Sequence, residues 1–85
     1  MIKTDDITLL CIRNWNWLKT YYQKRELHNQ GYVFDRKKKE WVKPSNGNDI
    51  ETAITYCKKY GFQLVVDLPQ YRRTTLYRKT FLILN

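Results

Sequence analysis

The residues in this sequence that are best suited to chemistry are its cations. Four of them are consecutive and stand between two short apolar segments: Arg36, Lys37, Lys38 and Lys39. Adjacent cations repel one another in water, and nearby phosphate relieves that repulsion while counterions are released. Together with Lys43, these side chains are candidate contacts to a nucleic-acid backbone, which they would hold without reading its sequence. The alternative is a solvated turn whose charges keep a sheet edge from aggregating.

Aromatic side chains form the second candidate site. The chain contains three Trp, seven Tyr and three Phe. Trp15, Leu18 and Tyr22 have the spacing of one helical face, and we expect Trp15 to face the core with Leu18. Trp17 and Tyr21 lie four residues apart on another face, so part of that pair should be exposed. Exposed rings among cations stack on unpaired bases at about 1–3 kcal/mol each. The same residue types dominate protein–protein hot spots, and the sequence does not separate the two uses.

A third candidate lies near the C-terminus, where cations are interleaved with tyrosines. Its proposed nucleic-acid contacts are Arg72, Arg73, Tyr77, Arg78 and Lys79. Interleaved cations and rings suit a groove for a single strand, although a strand that docks on a partner has the same pattern. Four apolar residues follow, and we expect them to dock on a core or on a partner: Phe81, Leu82, Ile83 and Leu84.

Catalytic and metal sites have little support in this sequence. His28 lies in a polar run near the end of a predicted helix, which is typical of a capping or surface residue. No third carboxylate is tied by spacing to Asp5 and Asp6. Cys11 and Cys57 each lie in an apolar-periodic segment, which favours two buried thiols over a disulfide or a metal site. We therefore expect no catalytic residue, no metal and no cofactor.

Length and composition indicate one basic, folded unit. Eighty-five residues suffice for a single domain, residues 1–85, and 42% of them are hydrophobic. Sixteen Lys and Arg against eight Asp and Glu give a net charge of +8, which favours polyanionic partners. An incidentally basic surface and binding to a membrane surface are the weaker alternatives. No apolar run reaches the roughly 18 residues of a membrane span, and we expect a cytoplasmic protein without a signal peptide.

The first half of the chain should place these residues on a strand, a helix and a hairpin. Residues 7–12 are rich in apolar side chains and fit a short buried strand. A helix is predicted from a cap at Asn14 to about Asn29, where Gly31 ends it. Residues 32–35 and 40–43 then alternate with period two, which predicts a β-hairpin with the four cations at its tip.

The second half predicts one helix and one strand, followed by the basic extension. Asn48 with Glu51 resembles a capping box, and the apolar positions that follow have helical spacing: Ile50, Ala53, Ile54 and Cys57. Gly61 should end this helix, and a strand over 64–68 should end at Pro69. The expected fold is α+β in the order β-α-β-β-α-β, with a core of about 7–68 and a C-terminal β extension over 69–85.

One segment follows a recognisable pattern of an aromatic residue with Asp, a short Lys-containing turn, and Trp in the returning strand. It is carried by Gly31-Tyr32-Val33-Phe34-Asp35 and Lys39-Glu40-Trp41-Val42-Lys43-Pro44. With the helix over 50–60 and the strand from Phe62, the stretch from Ile7 to Leu68 resembles the HARP-type domain of annealing helicases. It is also similar to the damage-recognition domain of archaeal XPB-like enzymes. This resemblance implies binding to DNA structures beside a replication or repair enzyme. The missing helicase motor and the basic extension are departures from the family.

Three hypotheses about function follow from these features. The leading one is a non-catalytic accessory protein that binds single-stranded or branched DNA and assists a replication or repair enzyme. That enzyme would be a polymerase or a helicase, for instance one of a phage or mobile element. The alternative is a protein-interaction module that binds and regulates a larger enzyme without touching DNA. A small metal-dependent nuclease that uses Asp35 or Glu40 is the third.

Overall fold

The computed structural model describes residues 7–68 and 73–78. Within these residues, five strands form one sheet: β1 (Leu9–Arg13), β2 (Val33–Asp35), β3 (Glu40–Pro44), β4 (Gln63–Asp67) and β5 (Arg73–Tyr77). The helices are α1 (Trp17–Tyr21), α2 (Lys24–Asn29) and α3 (Ile50–Tyr60). The strands lie in the order β2-β3-β1-β4-β5, and all neighbouring pairs are antiparallel. The predicted α+β class is confirmed, and the order of elements roughly matches the prediction.

The core lies between the helices and one face of the sheet. Ile12 of β1, the central strand, is in register with Trp41 on one side and Leu64 on the other. Side chains directly opposite one another share a face, and these three are fully buried. The helices complete the core with Leu27, Ala53, Tyr56 and Cys57.

The first helix differs from its prediction, because it is broken into α1 and α2 at Tyr22 and Gln23. The hydroxyl of Thr20 donates a hydrogen bond of 2.7 Å to the carbonyl of Trp17. It also accepts one of 3.1 Å from the indole N–H of Trp41. A Thr that bonds back to the preceding turn bends a helix. The bond from Trp41, which is distant in sequence, holds the bend in place.

Both predicted glycine stops are confirmed. Gly31 and Gly61 have positive φ angles of 98° and 74°, a conformation that glycine adopts without steric cost. After each glycine, the next N–H donates to a carbonyl of the preceding helix at 2.9 Å, Tyr32 to Leu27 and Phe62 to Cys57. Each chain reversal therefore leads directly from a helix into a strand of the sheet.

The predicted helix starts are wrong by a residue or two. The N-cap of α1 is Asn16, not Asn14, and its side chain accepts the N–H of Leu18 at 3.3 Å. The N-cap of α3 is Asp49, and no side-chain hydrogen bond caps this end. The predicted capping box between Asn48 and Glu51 is therefore absent.

The face of the sheet opposite the helices carries an ionic cluster. Glu40 of β3 accepts a hydrogen bond of 2.5 Å from Arg73 of β5, and Arg13 lies 3.4 Å from the same oxygen. Since β1 and β4 separate β3 from β5, this contact requires the sheet to curve across the face. The curvature leaves Glu40 only 2% exposed and buries Cys11, which faces the same side. Cys11 and Cys57 are both buried free thiols, as predicted.

Candidate nucleic-acid interface

The hairpin tip over 36–39 is shaped by the residue that precedes it. The carboxylate of Asp35 accepts the backbone N–H groups of Lys37 at 2.9 Å and Lys38 at 3.2 Å. This is the way in which Asp stabilises a tight turn. Lys39 then takes a positive φ of 57° and leads the chain into β3. The four side chains of the tip are exposed, and the predicted hairpin with a basic tip is confirmed.

The cations of the tip diverge toward the two faces of the molecule. The ammonium of Lys38 lies 4.0 Å from the carboxylate of Asp67, on the side of the ionic cluster. The ammonium of Lys39 lies 4.9 Å from the ring centroid of Trp17, on the side of the helices. Arg36 and Lys37 are exposed in the turn itself. The tip therefore presents cations to solvent and, through Lys39, joins them to an aromatic surface.

That aromatic surface is a cluster of four rings between α1 and the hairpin. The centroids of neighbouring rings are 5.0 to 6.0 Å apart, among Trp17, Tyr21, Phe34 and Trp41. Trp41 is fully buried, whereas Tyr21 is 37% exposed and Trp17 is partly exposed. The expected partial exposure of the Trp17–Tyr21 pair is thus confirmed. His28 packs edge-on to Trp41 at 5.2 Å and remains exposed, as a surface residue would.

A second cation completes this arrangement. The ammonium of Lys24 lies 4.8 Å from the ring centroid of Tyr21, within the range of a cation–π interaction. We call the resulting array of accessible cations and rings the tip–ring surface. Its members are Trp17, Tyr21, Lys24, Arg36, Lys37 and Lys39. An array of this kind can contact phosphates with its cations while its rings lie against bases.

Lys43 does not belong to this surface, contrary to the sequence-based expectation. Its ammonium donates to the carbonyl of Gln30 at 2.9 Å, lies 3.5 Å from Asp49 and 5.1 Å from the ring centroid of Tyr32. Its charge is therefore used inside the fold, where it joins the end of α2 to the start of α3.

Arg73, a predicted nucleic-acid contact, has a comparable internal role. Its guanidinium contacts Glu40 at 2.5 Å and Asp67 at 3.8 Å. The hydrogen bond to Glu40, opposed by partial burial, raises the pKa of Arg73 above its ordinary value. The guanidinium thus stays charged and contacts two carboxylates, which fixes β5 to the curved sheet.

Two of the remaining C-terminal candidates, Tyr77 and Arg78, are described by the structure and lie away from the tip. Tyr77 is half-buried and packs against the core, with the ammonium of Lys58 6.0 Å from its ring centroid. Arg78 is exposed at the end of β5, which is the opposite edge of the sheet from β2. Arg72, Lys79 and the apolar segment over 81–84 lie outside the described residues, so their predicted roles stay predictions.

The three residues of the predicted helical face are exposed. The side chains of Trp15, Leu18 and Tyr22 are 83%, 45% and 79% exposed. The expectation that Trp15 and Leu18 face the core is therefore wrong. The side of α1 that faces the core carries Thr20, which is fully buried. Because the buried side carries a Thr, it does not stand out as apolar in the sequence. The apolar residues that have helical spacing lie on the exposed side of the helix.

The two carboxylates that the nuclease hypothesis would use have structural contacts. Asp35 shapes the hairpin turn and Glu40 pairs with two arginines. Nowhere in 7–68 and 73–78 do three His, Cys, Asp or Glu side chains come together as metal ligands would. Burial raises the pKa of the Cys11 thiol to about 11, with Glu40 adding to the effect, and that of Cys57 to about 12. Neither thiol is arranged as a nucleophile at neutral pH.

Among the described residues, no helix has both the length and the apolar character needed to cross a membrane.

The comparisons with other proteins identify no relative of this chain. Comparison of the chain with protein-family models, curated proteins and solved structures finds no match. The resemblance to the HARP-type domain therefore stays a prediction. The function proposed below is based on the geometry of the tip–ring surface.

Proposed function

We propose that this protein is a non-catalytic accessory factor that binds single-stranded or branched DNA beside a replication or repair enzyme. Such an enzyme would be a polymerase or helicase of the cytoplasm, for instance of a phage or mobile element. The resemblance to HARP-type domains supports the replication or repair context. DNA binding itself is supported by one observation, which is that cations and accessible rings occupy the same surface.

The arrangement of this surface favours unpaired DNA. Lys39 lies 4.9 Å from Trp17, and Lys24 lies 4.8 Å from Tyr21, so cations and rings are within one nucleotide of one another. Cations alone would hold any phosphate backbone, including that of a duplex. Aromatic rings gain stacking energy only from bases whose faces are exposed, because the bases of a duplex are already stacked on one another. The combination therefore gives a single strand contacts that a plain duplex lacks.

The alternative function, a protein-interaction module, also has a specific observation in its favour. Trp15 and Leu18 are exposed on the outer side of α1, and large exposed apolar side chains mark protein interfaces. Under this alternative, neutralising Arg36 and Lys37 would leave regulation of the partner enzyme intact. Under the leading proposal, the same change would weaken both DNA binding and assistance to the enzyme.

Titration of labelled single-stranded, duplex and forked DNA, followed by fluorescence anisotropy at several salt concentrations, tests the proposal. We expect salt-sensitive binding that is tightest for DNA with an unpaired strand. Each lost phosphate contact should reduce the slope of log K against log salt by about 0.7 for a single strand. K37Q should therefore lower the slope by about 0.7 and the R36Q/K37Q double variant by about 1.4.

K58Q is the matched control, since it removes the same charge beside Tyr77 rather than at the tip. It should leave the slope close to that of the wild type. If none of the three DNA forms binds in a salt-sensitive way near physiological salt, direct DNA contact is ruled out. Equal effects of K37Q and K58Q would mean that net charge, and not the tip–ring surface, accounts for binding.

A further inference from the structure

We propose that one unpaired nucleobase of the bound strand occupies a cleft beside α1, against the ring of Tyr22. The inference rests on the proposed function and adds a second contact outside the tip–ring surface. The cleft has a volume of about 240 Å³ and is lined by Lys19, Tyr22, Gln23, Tyr60 and Phe62. Pockets for drug-sized ligands begin at about 300 Å³, so this one suits a single flat ring.

The break between α1 and α2 creates the cleft. A continuous helix would carry Tyr22 and Gln23 onward along its axis, whereas the bend at Thr20 ends α1 at these residues. Tyr22 is the C-cap of α1 and Gln23 is the N-cap of α2. Both side chains therefore stand at a corner of the backbone, next to the chain reversal that Gly61 produces on the way into β4.

The walls of the cleft have the chemistry of a base-binding site. Tyr60 and Phe62 are stacked, with centroids 5.6 Å apart and ring planes 19° from parallel, and Phe62 is buried. They form a fixed aromatic wall, while Tyr22, at 79% exposure, contributes a ring that nothing in the core covers. Every base has a π-face, so rings of this kind bind bases with little regard to sequence.

Polar groups at the rim fit the rest of a nucleotide. Gln23 makes no side-chain hydrogen bond to the start of α2, and an amide offers both donors and an acceptor to the edge of a base. Lys19 lines the same cleft, and its ammonium lies 6.0 Å from the ring centroid of Trp15. It can therefore meet the phosphate that accompanies the base.

The surroundings of α1 favour nucleic acid over a protein side chain as the occupant. Three pairs of a cation and a ring surround this short helix: Lys19 with Trp15, Lys24 with Tyr21 and Lys39 with Trp17. The pair at Lys39 belongs to the tip–ring surface and the pair at Lys19 adjoins the cleft. The same chemistry is thus repeated from one site to the other, as a strand that follows the helix would require.

The test measures the affinity of the full chain for two oligonucleotides of about 12 nucleotides, within the site sizes of single-strand binding domains. One is oligo(dT), and the other has the same length and charge but lacks its bases. We expect Y22A to weaken binding of oligo(dT) roughly 5- to 150-fold, the fold-change that corresponds to one lost stacking contact. It should leave binding of the abasic strand unchanged. Y22F keeps the ring and should bind like the wild type, and L18A, an exposed neighbour without a ring, should do the same.

Each outcome decides the matter, since Tyr22 is too exposed for its truncation to unfold the protein. If Y22A and the wild type bind oligo(dT) equally well, the base site is wrong while DNA binding through the tip stands. If the wild type binds neither oligonucleotide, the proposed function itself fails. An equal loss for oligo(dT) and for the abasic strand would also overturn the inference, because it would show a phosphate contact and not a base contact.

Discussion

Thr20→Val should lower the free energy of unfolding by about 1–3 kcal/mol. Valine has nearly the shape of threonine and a similar helix propensity, so the change removes the hydroxyl and little else. That hydroxyl accepts the indole N–H of Trp41 at 3.1 Å, and both residues are fully buried. After the substitution the indole N–H would be buried without an acceptor, and the cost of such a group sets the expected magnitude.

Urea denaturation measures this effect, followed in parallel by tryptophan fluorescence and far-ultraviolet circular dichroism. The midpoint should fall while the slope m stays constant, since the surface exposed on unfolding is unchanged. In thermal unfolding, each kcal/mol corresponds to about 4–8 °C for a domain of this size. T55V is the matched control, because Thr55 is an exposed threonine of α3, and its replacement should change stability by less than about 0.5 kcal/mol.

Two results would refute this reasoning. If T20V is as stable as the wild type, the bond between Trp41 and Thr20 does not hold the bend of the helix. If T20V and T55V lose equal stability, the effect belongs to threonine in a helix and not to the buried hydrogen bond. The indole N–H resonance of Trp41 gives an independent readout. It should move when the acceptor is lost, and it should stay in place in T55V.

Two further predictions concern the ionic cluster and the two buried thiols. E40A should lower the free energy of unfolding by about 1–3 kcal/mol, because two arginines lose their carboxylate. The control E51A, at an exposed site, should cost less than about 0.5 kcal/mol. Equal losses in chemical denaturation would contradict a structural role for the ionic cluster. Cys11 and Cys57 should resist a thiol reagent at pH 8 in the native protein and react fully in urea, since burial raises their pKa values to about 11 and 12. As an unfolded thiol ionises near pH 9, stability should fall as pH rises from there through the folded-state values. Rapid labelling of the native protein at pH 8 would show that the thiols are accessible.

The parts of the fold that local sequence determines were predictable. The hairpin is specified by period-two strands around a polar tip, and α3 by an uninterrupted apolar stripe with Gly61 behind it. These patterns involve residues close together in the chain. The break at Thr20 could not be predicted in this way, because the hydrogen bond that fixes it comes from Trp41, 21 residues further along. The helical periodicity around it consequently selected the exposed side of α1 as the buried one.

The candidate site shows the same division between local and distant causes. The exposed cations of the tip, Arg36 to Lys39, follow from a turn that their own neighbours specify. Whether other cations are available depends on distant partners, and Arg73 meets Glu40 across 33 residues of sequence. Lys43 likewise meets Gln30, 13 residues away. A count of charges along the chain treats all these cations alike, although only some of them face solvent.

The distribution of carboxylates decides which cations of this chain, whose net charge is +8, face solvent without an acidic partner. Three of the described carboxylates form ion pairs: Glu40 with Arg13 and Arg73, Asp49 with Lys43, and Asp67 with Arg73 and, from the tip, Lys38. Asp35 is occupied by the backbone of the turn. Arg36 and Lys37 therefore project from a fold whose acidic groups are largely committed elsewhere. The exposed Lys39 is placed beside the rings of α1 by its cation–π contact with Trp17, so that cation and ring lie close enough to act on the same few nucleotides of the proposed DNA ligand.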